Sequence, residues 1–108
     1  MNPSAATAGS RTGCPPEVLA RLPTSQGHLE AVVRIATQGA PAEDVLAQLR
    51  SVQAALSAAR RCLLQAELRT RGEALRRCST LDQRAQAAQA LSRLIALATR
   101  PTQETDGG

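Results

Sequence analysis

PAEDVLAQLRSVQAALSAARRCLLQAELRTR, residues 41–71, places apolar side chains at Val45, Leu49, Val52, Leu56, Ala59, Leu63 and Ala66. The spacing alternates four and three over three heptads, so one continuous stripe runs down a helix. At 1.5 Å per residue such a helix is ~45 Å long, and a stripe of that length demands a partner helix, because a loop does not cover it. Pro41 suits a first turn, where no backbone donor is needed, and Glu43 and Asp44 meet the positive end of the helix dipole. Gly72 is the expected stop.

On the N-terminal side, Leu29, Val32, Val33 and Ala36 keep helical spacing between Ser25 and Gln38, with Ser25 a candidate cap and Gly39 a candidate stop. A shorter apolar run, Val18, Leu19 and Leu22, follows Pro15 and Pro16. Pro23 interrupts it and is expected to start a new helix or kink an existing one. On the C-terminal side, Ser79 or Thr80 caps a third helix and Asp82 favours its first turn. Leu81, Ala88, Leu91, Leu94, Ile95 and Ala98 give that helix a broad apolar face before Pro101 ends it. No period-two alternation argues for strands. The expected organisation is a disordered tail over residues 1–14, one helical domain over 15–100 and a second disordered tail over 101–108. The expected fold is all-α, a three-helix protomer with a long central helix that assembles into a dimeric or tetrameric helical bundle.

The composition supports assembly and narrows the chemistry. A chain of 108 residues without Phe, Tyr or Trp builds its core from Leu, Val, Ile and Ala, and a monomer buries too little apolar surface to be comfortable. No aromatic ring is available to stack on a base or a flavin, and no cofactor is called for. One histidine and scattered acids do not assemble a nucleophile with its base, and no Gly-rich phosphate loop is present, which excludes the enzyme classes that need them. All thirteen basic residues are Arg, and against nine acidic residues they leave a net charge of +4. Six of them, Arg60, Arg61, Arg69, Arg71, Arg76 and Arg77, crowd one segment that holds only Glu67 and Glu73 in opposition. Such a density attracts phosphate, anionic lipid or an acidic protein; it is equally what a solvated face looks like where codon usage favours Arg over Lys.

The N-terminal MNPSAATAGSRTG has no apolar core of the secretory kind, and no apolar run is long enough to span a bilayer, so the expectation is a cytoplasmic protein with no membrane partner. Cys14, Cys62 and Cys78 are an odd set without close pairing, which points to free thiols. Cys62 reads as a small hydrophobe beside the stripe. Cys78 adjoins Arg76 and Arg77, a setting that favours a reactive thiol, and is a candidate redox position beside the plainer reading of an exposed cysteine.

The order and spacing of four segments carry a resemblance: RL-x4-GHL at Arg21 to Leu29, RIATQG at Arg34 to Gly39, DVLAQLRSVQAAL at Asp44 to Leu56 and LLQAELR at Leu63 to Arg69. From Arg21 to about Arg71 the chain resembles the copper-sensing repressor family (CsoR/RcnR-like). The resemblance implies an all-helical protein whose long second helices pack in dimers and tetramers, and which binds operator DNA until an inducer loosens it. In that family a cysteine stands two residues before the Asp-Val-Leu, and a His and a Cys stand four apart near the end of the long helix. The matching positions here are Ala42, Glu67 and Arg71. Ala has no donor atom, Arg is permanently protonated and a lone carboxylate is a poor copper(I) ligand, so no metal is expected at these positions. The family's formaldehyde and persulfide sensors also use the cysteine that Ala42 replaces. His28 lies within the GHL motif, where the family accepts His or Gln, and reads as a structural hydrogen-bonding residue.

Glu67 and Arg71 are four apart with the acid first, the arrangement that pairs along a helix. Two readings are open: an ordinary surface pair worth ~0.3–0.5 kcal/mol, or a conformational lock that holds the helix end in one state without an inducer. For operator phosphates the candidates are Arg21, which matches a basic position of the family, with Arg34, Arg50, Arg60, Arg61, Arg76 and Arg77. Pro23, Thr24 and Glu30 stand where relatives often carry Lys or Arg, so the first helix is thinned in positive charge. The expected function is therefore a DNA-binding repressor, with operator DNA and copies of itself as partners and no metal response through the usual site. The alternative is a helical interaction module, or a hetero-oligomer partner of a ligand-competent paralogue, without DNA binding of its own.

Overall fold

The computed structural model describes residues 13–100, and among these are three helices and no strand: α1 (Pro16–Thr37), α2 (Ala42–Arg77) and α3 (Leu81–Thr99). The expected tails, residues 1–14 and 101–108, lie outside the described residues except for Gly13 and Cys14. The central helix is the longest, as its stripe requires, at 36 residues.

Two expectations about breaks are corrected. Pro23 does not start a new helix; of its two expected outcomes the one inside an existing helix remains, since it sits within α1. The proline removes one backbone donor and crowds the carbonyl four residues back. The next residue supplies a local hydrogen bond, Thr24 Oγ1 donating to the carbonyl of Ala20 at 3.3 Å. Ser25 is consequently not a cap but a mid-helix residue, buried at 6% exposure. The second correction concerns Gly72, which does not stop α2. A glycine stop needs a left-handed backbone, and among the described residues positive φ is confined to Gly13 and Gly39. Gly72 stays helical and α2 continues to Arg77.

The stop at Gly39 is built as expected. With φ +88° it follows the last helical residue, Thr37, by two. Its N–H donates to Ala36 at 3.2 Å and that of Ala40 donates to Ile35 at 3.0 Å, the paired bonds of a Schellman turn. Pro41 then acts as N-cap of α2, its carbonyl accepting from Asp44 at 3.0 Å and Val45 at 3.2 Å. At α3 the cap is Thr80, whose hydroxyl accepts from the Gln83 N–H at 3.1 Å, while the Gln83 side chain accepts from the Ser79 N–H at 3.1 Å.

The chain divides into two compact units after Leu63. In the first, α1 and the N-terminal part of α2 form an antiparallel hairpin around the Gly39 turn. The deeply buried residues of α1 are Val18, Ser25 and Val32, and those of α2 here are Val52 and Ala59, with Val45 half-buried. Each set repeats every seven residues, and the two run in opposite directions. The result is a narrow seam rather than a core with depth. In the second unit the C-terminal part of α2 is followed by α3, whose buried residue is Leu94.

Candidate functional site

The stripe splits once its partner is in place. Val45, Val52 and Ala59 turn into the hairpin seam, whereas Leu49, Leu56 and Leu63 remain 37%, 43% and 36% exposed. Successive helical residues turn ~100°, which sets these leucines ~40–60° to one side of the seam. On α1, Leu22 and Leu29 are displaced from the seam in the same sense and are likewise exposed. In an antiparallel pair equal displacements face the same way, so five leucines share one broad side of the hairpin. His28 and Gln48 are displaced in the opposite sense and meet at 2.8 Å on the other side. Two open recesses flank them. One of ≈ 290 Å³ is lined by Ala31, Val32, Ile35, Asp44, Ala47 and Gln48, and one of ≈ 270 Å³ by Ala20, Arg21, Thr24, Ser25 and Ala55.

All seven candidate phosphate-binding residues are exposed, but the hairpin does not collect them. Arg50 and Arg61 lie ~20° apart on α2, both ~160° from the seam. Arg34 points away from the seam on α1, and Arg21, which lines the second recess, is ~140° from Arg34 around the same helix. Arg60 flanks Leu56 and Leu63. Arg76 and Arg77 belong to the second unit, in the last turn of α2, where positive charge complements the helix dipole. Arg77 there pairs with Glu73 at 3.6 Å, the arginine largely exposed and the glutamate half-buried. Cys78 follows, half-buried, its Sγ–H donating to the carbonyl of Ala74 at 3.1 Å.

Of the three positions that match metal ligands, Ala42 is the exposed first residue of α2. Glu67 and Arg71 are in the second unit and bond to each other, Arg71 Nε donating to Glu67 Oε2 at 3.1 Å. Arg71 also crosses to α3, where Nη1 donates to the backbone carbonyl of Ala90 at 2.6 Å. The two side chains are only 29% and 24% exposed. A soft metal ion does not fit this donor set, because a fixed cation takes up the carboxylate and the third position is a methyl group. Among the described residues no three His, Cys, Asp or Glu side chains gather in a metal-holding group. The pairing of Glu67 with Arg71 was readable from their spacing. The Ala90 acceptor was not, since a backbone carbonyl leaves no mark on a sequence, and neither was Gln48 as the partner of His28.

Comparison with known proteins agrees with this architecture. Residues 16–100 match the family model described as metal-sensitive transcriptional repressor. Over 70 residues the chain is 40% identical to the copper-sensing transcriptional repressor CsoR of Mycobacterium ulcerans (strain Agy99), a stretch that covers 65% of this chain and 56% of that protein. The chain thus spans little more than half the length of that curated relative. No solved structure matches it significantly. Among the described residues no helix is long and apolar enough to cross a membrane.

Proposed function

Because the chain belongs to the metal-sensitive transcriptional repressor family, we propose that it is a cytoplasmic repressor that binds operator DNA as a self-assembled helical bundle and takes no metal signal through the positions its relatives use. The observation that carries the reading is the bond between Glu67 and Arg71. Where the resemblance puts an imidazole nitrogen and a soft sulfur, this chain holds a carboxylate and a guanidinium that satisfy each other. The three helices remain, and in this reading assembly and DNA contact do not depend on the lost donors.

Self-assembly is supported by Leu22, Leu29, Leu49, Leu56 and Leu63, which one hairpin leaves at 36–44% exposure on one side. Covering the remaining two-fifths or so of each such leucine contributes roughly 0.6–1.2 kcal/mol. DNA contact is supported by the exposed Arg21, Arg34, Arg50, Arg60, Arg61, Arg76 and Arg77. With no aromatic platform, contact rests on phosphates and duplex shape, and repetition across an assembly multiplies it.

The test is a gel-shift titration with the DNA upstream of the chain's own gene, at several salt concentrations and with copper(I) added in a parallel series. The expected result is affinity that exceeds that for random DNA, falls steeply with salt and is unmoved by copper(I). Release by copper(I) overturns the metal-independent part. Absence of binding at low salt, or equal binding to random DNA, replaces the repressor with the helical interaction module, a reading in which the thinned charge at Pro23, Thr24 and Glu30 has its natural place.

A further inference from the structure

In the repressor reading the Glu67–Arg71 bond accounts only for the absent metal response, and the reach of Arg71 to α3 has no task. On α2 two pairs have the same design, an acid followed four residues later by an arginine. Glu73 and Arg77 are 3.6 Å apart with side chains 41% and 77% exposed, and no bond joins this pair to α3 among the described residues. Glu67 and Arg71 are 3.1 Å apart, with side chains 24% and 29% exposed, and here the guanidinium reaches α3. Its acceptor, the carbonyl of Ala90, lies in the interior of that helix, four residues before the buried Leu94. A helical carbonyl has a second lone pair beyond its ladder bond, and Arg71 Nη1 takes it at 2.6 Å. One planar group therefore ties a side chain of α2 to the backbone of α3.

We propose that Glu67, Arg71 and the Ala90 carbonyl form a built-in strap that holds α3 in one arrangement against the C-terminal part of α2 without any ligand. Arginine suits the task for two reasons. Its Nε and Nη edges point in different directions, so one group bonds both partners, and it does not lose its proton in the physiological range. Glu67 has a separate part: it neutralises a cation that is largely withdrawn from water and fixes the plane of the fork. A lysine ammonium has no such plane. The strap's effect on DNA rests on the repressor reading, since a permanently fixed α3 sets operator affinity at one value. Its effect on α3 itself does not rest on that reading.

The experiment is amide hydrogen exchange of the full chain, read over the α3 peptides, for wild type and for Arg71→Met, Arg71→Lys, Glu67→Gln and Arg77→Met, with circular dichroism as a check on folding. Arg71→Met is expected to speed α3 exchange about tenfold, with Glu67→Gln intermediate, Arg71→Lys failing to restore protection and Arg77→Met unchanged. Copper(I) added to wild type is expected to leave α3 exchange as it was. The strap is overturned if Arg71→Met exchanges like Arg77→Met, or if copper(I) alters α3 protection in wild type. Should Arg71→Met lose helicity, Glu67→Gln and Arg71→Lys decide, and wild-type exchange in both overturns the strap. If α3 responds as expected while wild type binds no operator, the strap stands and the repressor reading falls. If operator binding holds and α3 does not respond, the reverse is true.

Discussion

His28 Nε2 lies 2.8 Å from Gln48 Oε1, and since an amide oxygen only accepts, the imidazole of α1 donates across the hairpin to α2. The bond spans twenty residues of chain and sits on the side away from the exposed leucines. It gives the single histidine a structural task, and the Nε2 that donates a proton has no lone pair for a metal. His28→Ala is expected to lower stability by about 0.5–1.5 kcal/mol, the net worth of one such bond. Urea unfolding at fixed protein concentration reads this. An unchanged midpoint would mean that water serves Gln48 equally well.

Gly39 and Gly72 invite the same substitution and predict opposite results. A Cβ added at either meets nothing within 4 Å, so space does not decide. Conformation does. Gly39 has φ +88°, where an L side chain is strained, and Gly39→Ala is expected to destabilise by about 1 kcal/mol or more. Gly72 lies within a helix at ordinary φ, and Gly72→Ala is expected to stabilise by ~0.5–1 kcal/mol through the unfolded chain's lost freedom. Thermal melts of both variants at one concentration check the signs. A stabilised Gly39→Ala would contradict the Schellman turn.

That contrast marks how far the sequence could be read. Periodicity found all three helices, because an apolar stripe records which side of a helix meets protein, and the caps at Thr80 and Gly39 followed from side-chain and backbone chemistry that a sequence carries openly. Breaks were less legible. Gly72 and Pro23 have the same composition signal as Gly39 and Pro41, but what ends a helix is a backbone turn that the surrounding packing selects. The hairpin seam outweighs one missing donor at Pro23, and it draws Ser25 inside a helix it was expected to cap. At the candidate site, Glu67 with Arg71 was visible as a pair of opposite charges at helical spacing. Its extension to Ala90 belongs to tertiary structure alone.

The split of the α2 stripe separates folding from assembly. Val52 is 4% exposed inside the hairpin, and Val52→Ala is expected to lower stability by about 2 kcal/mol while leaving the mass of the assembled particle unchanged. Leu56, at 43% exposure, faces outward. Leu56→Glu puts a charge where a second copy would cover it, and is expected to shift the particle towards monomer in sedimentation or light scattering, with apparent stability falling at low protein concentration. If Leu56→Glu keeps the wild-type mass, the leucine side is not where copies meet.

Arg50 and Arg61 share the outward side of α2 within ~20°, whereas Arg34 points away from the seam on the other helix of the hairpin. A phosphate backbone that follows one side of the protomer meets Arg50 and Arg61 together and leaves Arg34 out. Each phosphate contact releases condensed counterions, so the slope of log affinity against log salt measures how many arginines touch DNA. Arg50→Gln and Arg61→Gln are therefore expected to flatten that slope by comparable amounts, about one unit for each protomer in contact. Arg34→Gln should change it independently or not at all. Because all three side chains are exposed, the substitutions leave the hairpin seam intact, and melts that coincide with wild type confirm that the change is in contact rather than in folding. A slope that falls for Arg50→Gln but not for Arg61→Gln would show that this side of α2 is not laid along the duplex, since two positions one above the other on a helix cannot be separated by a surface that runs past both.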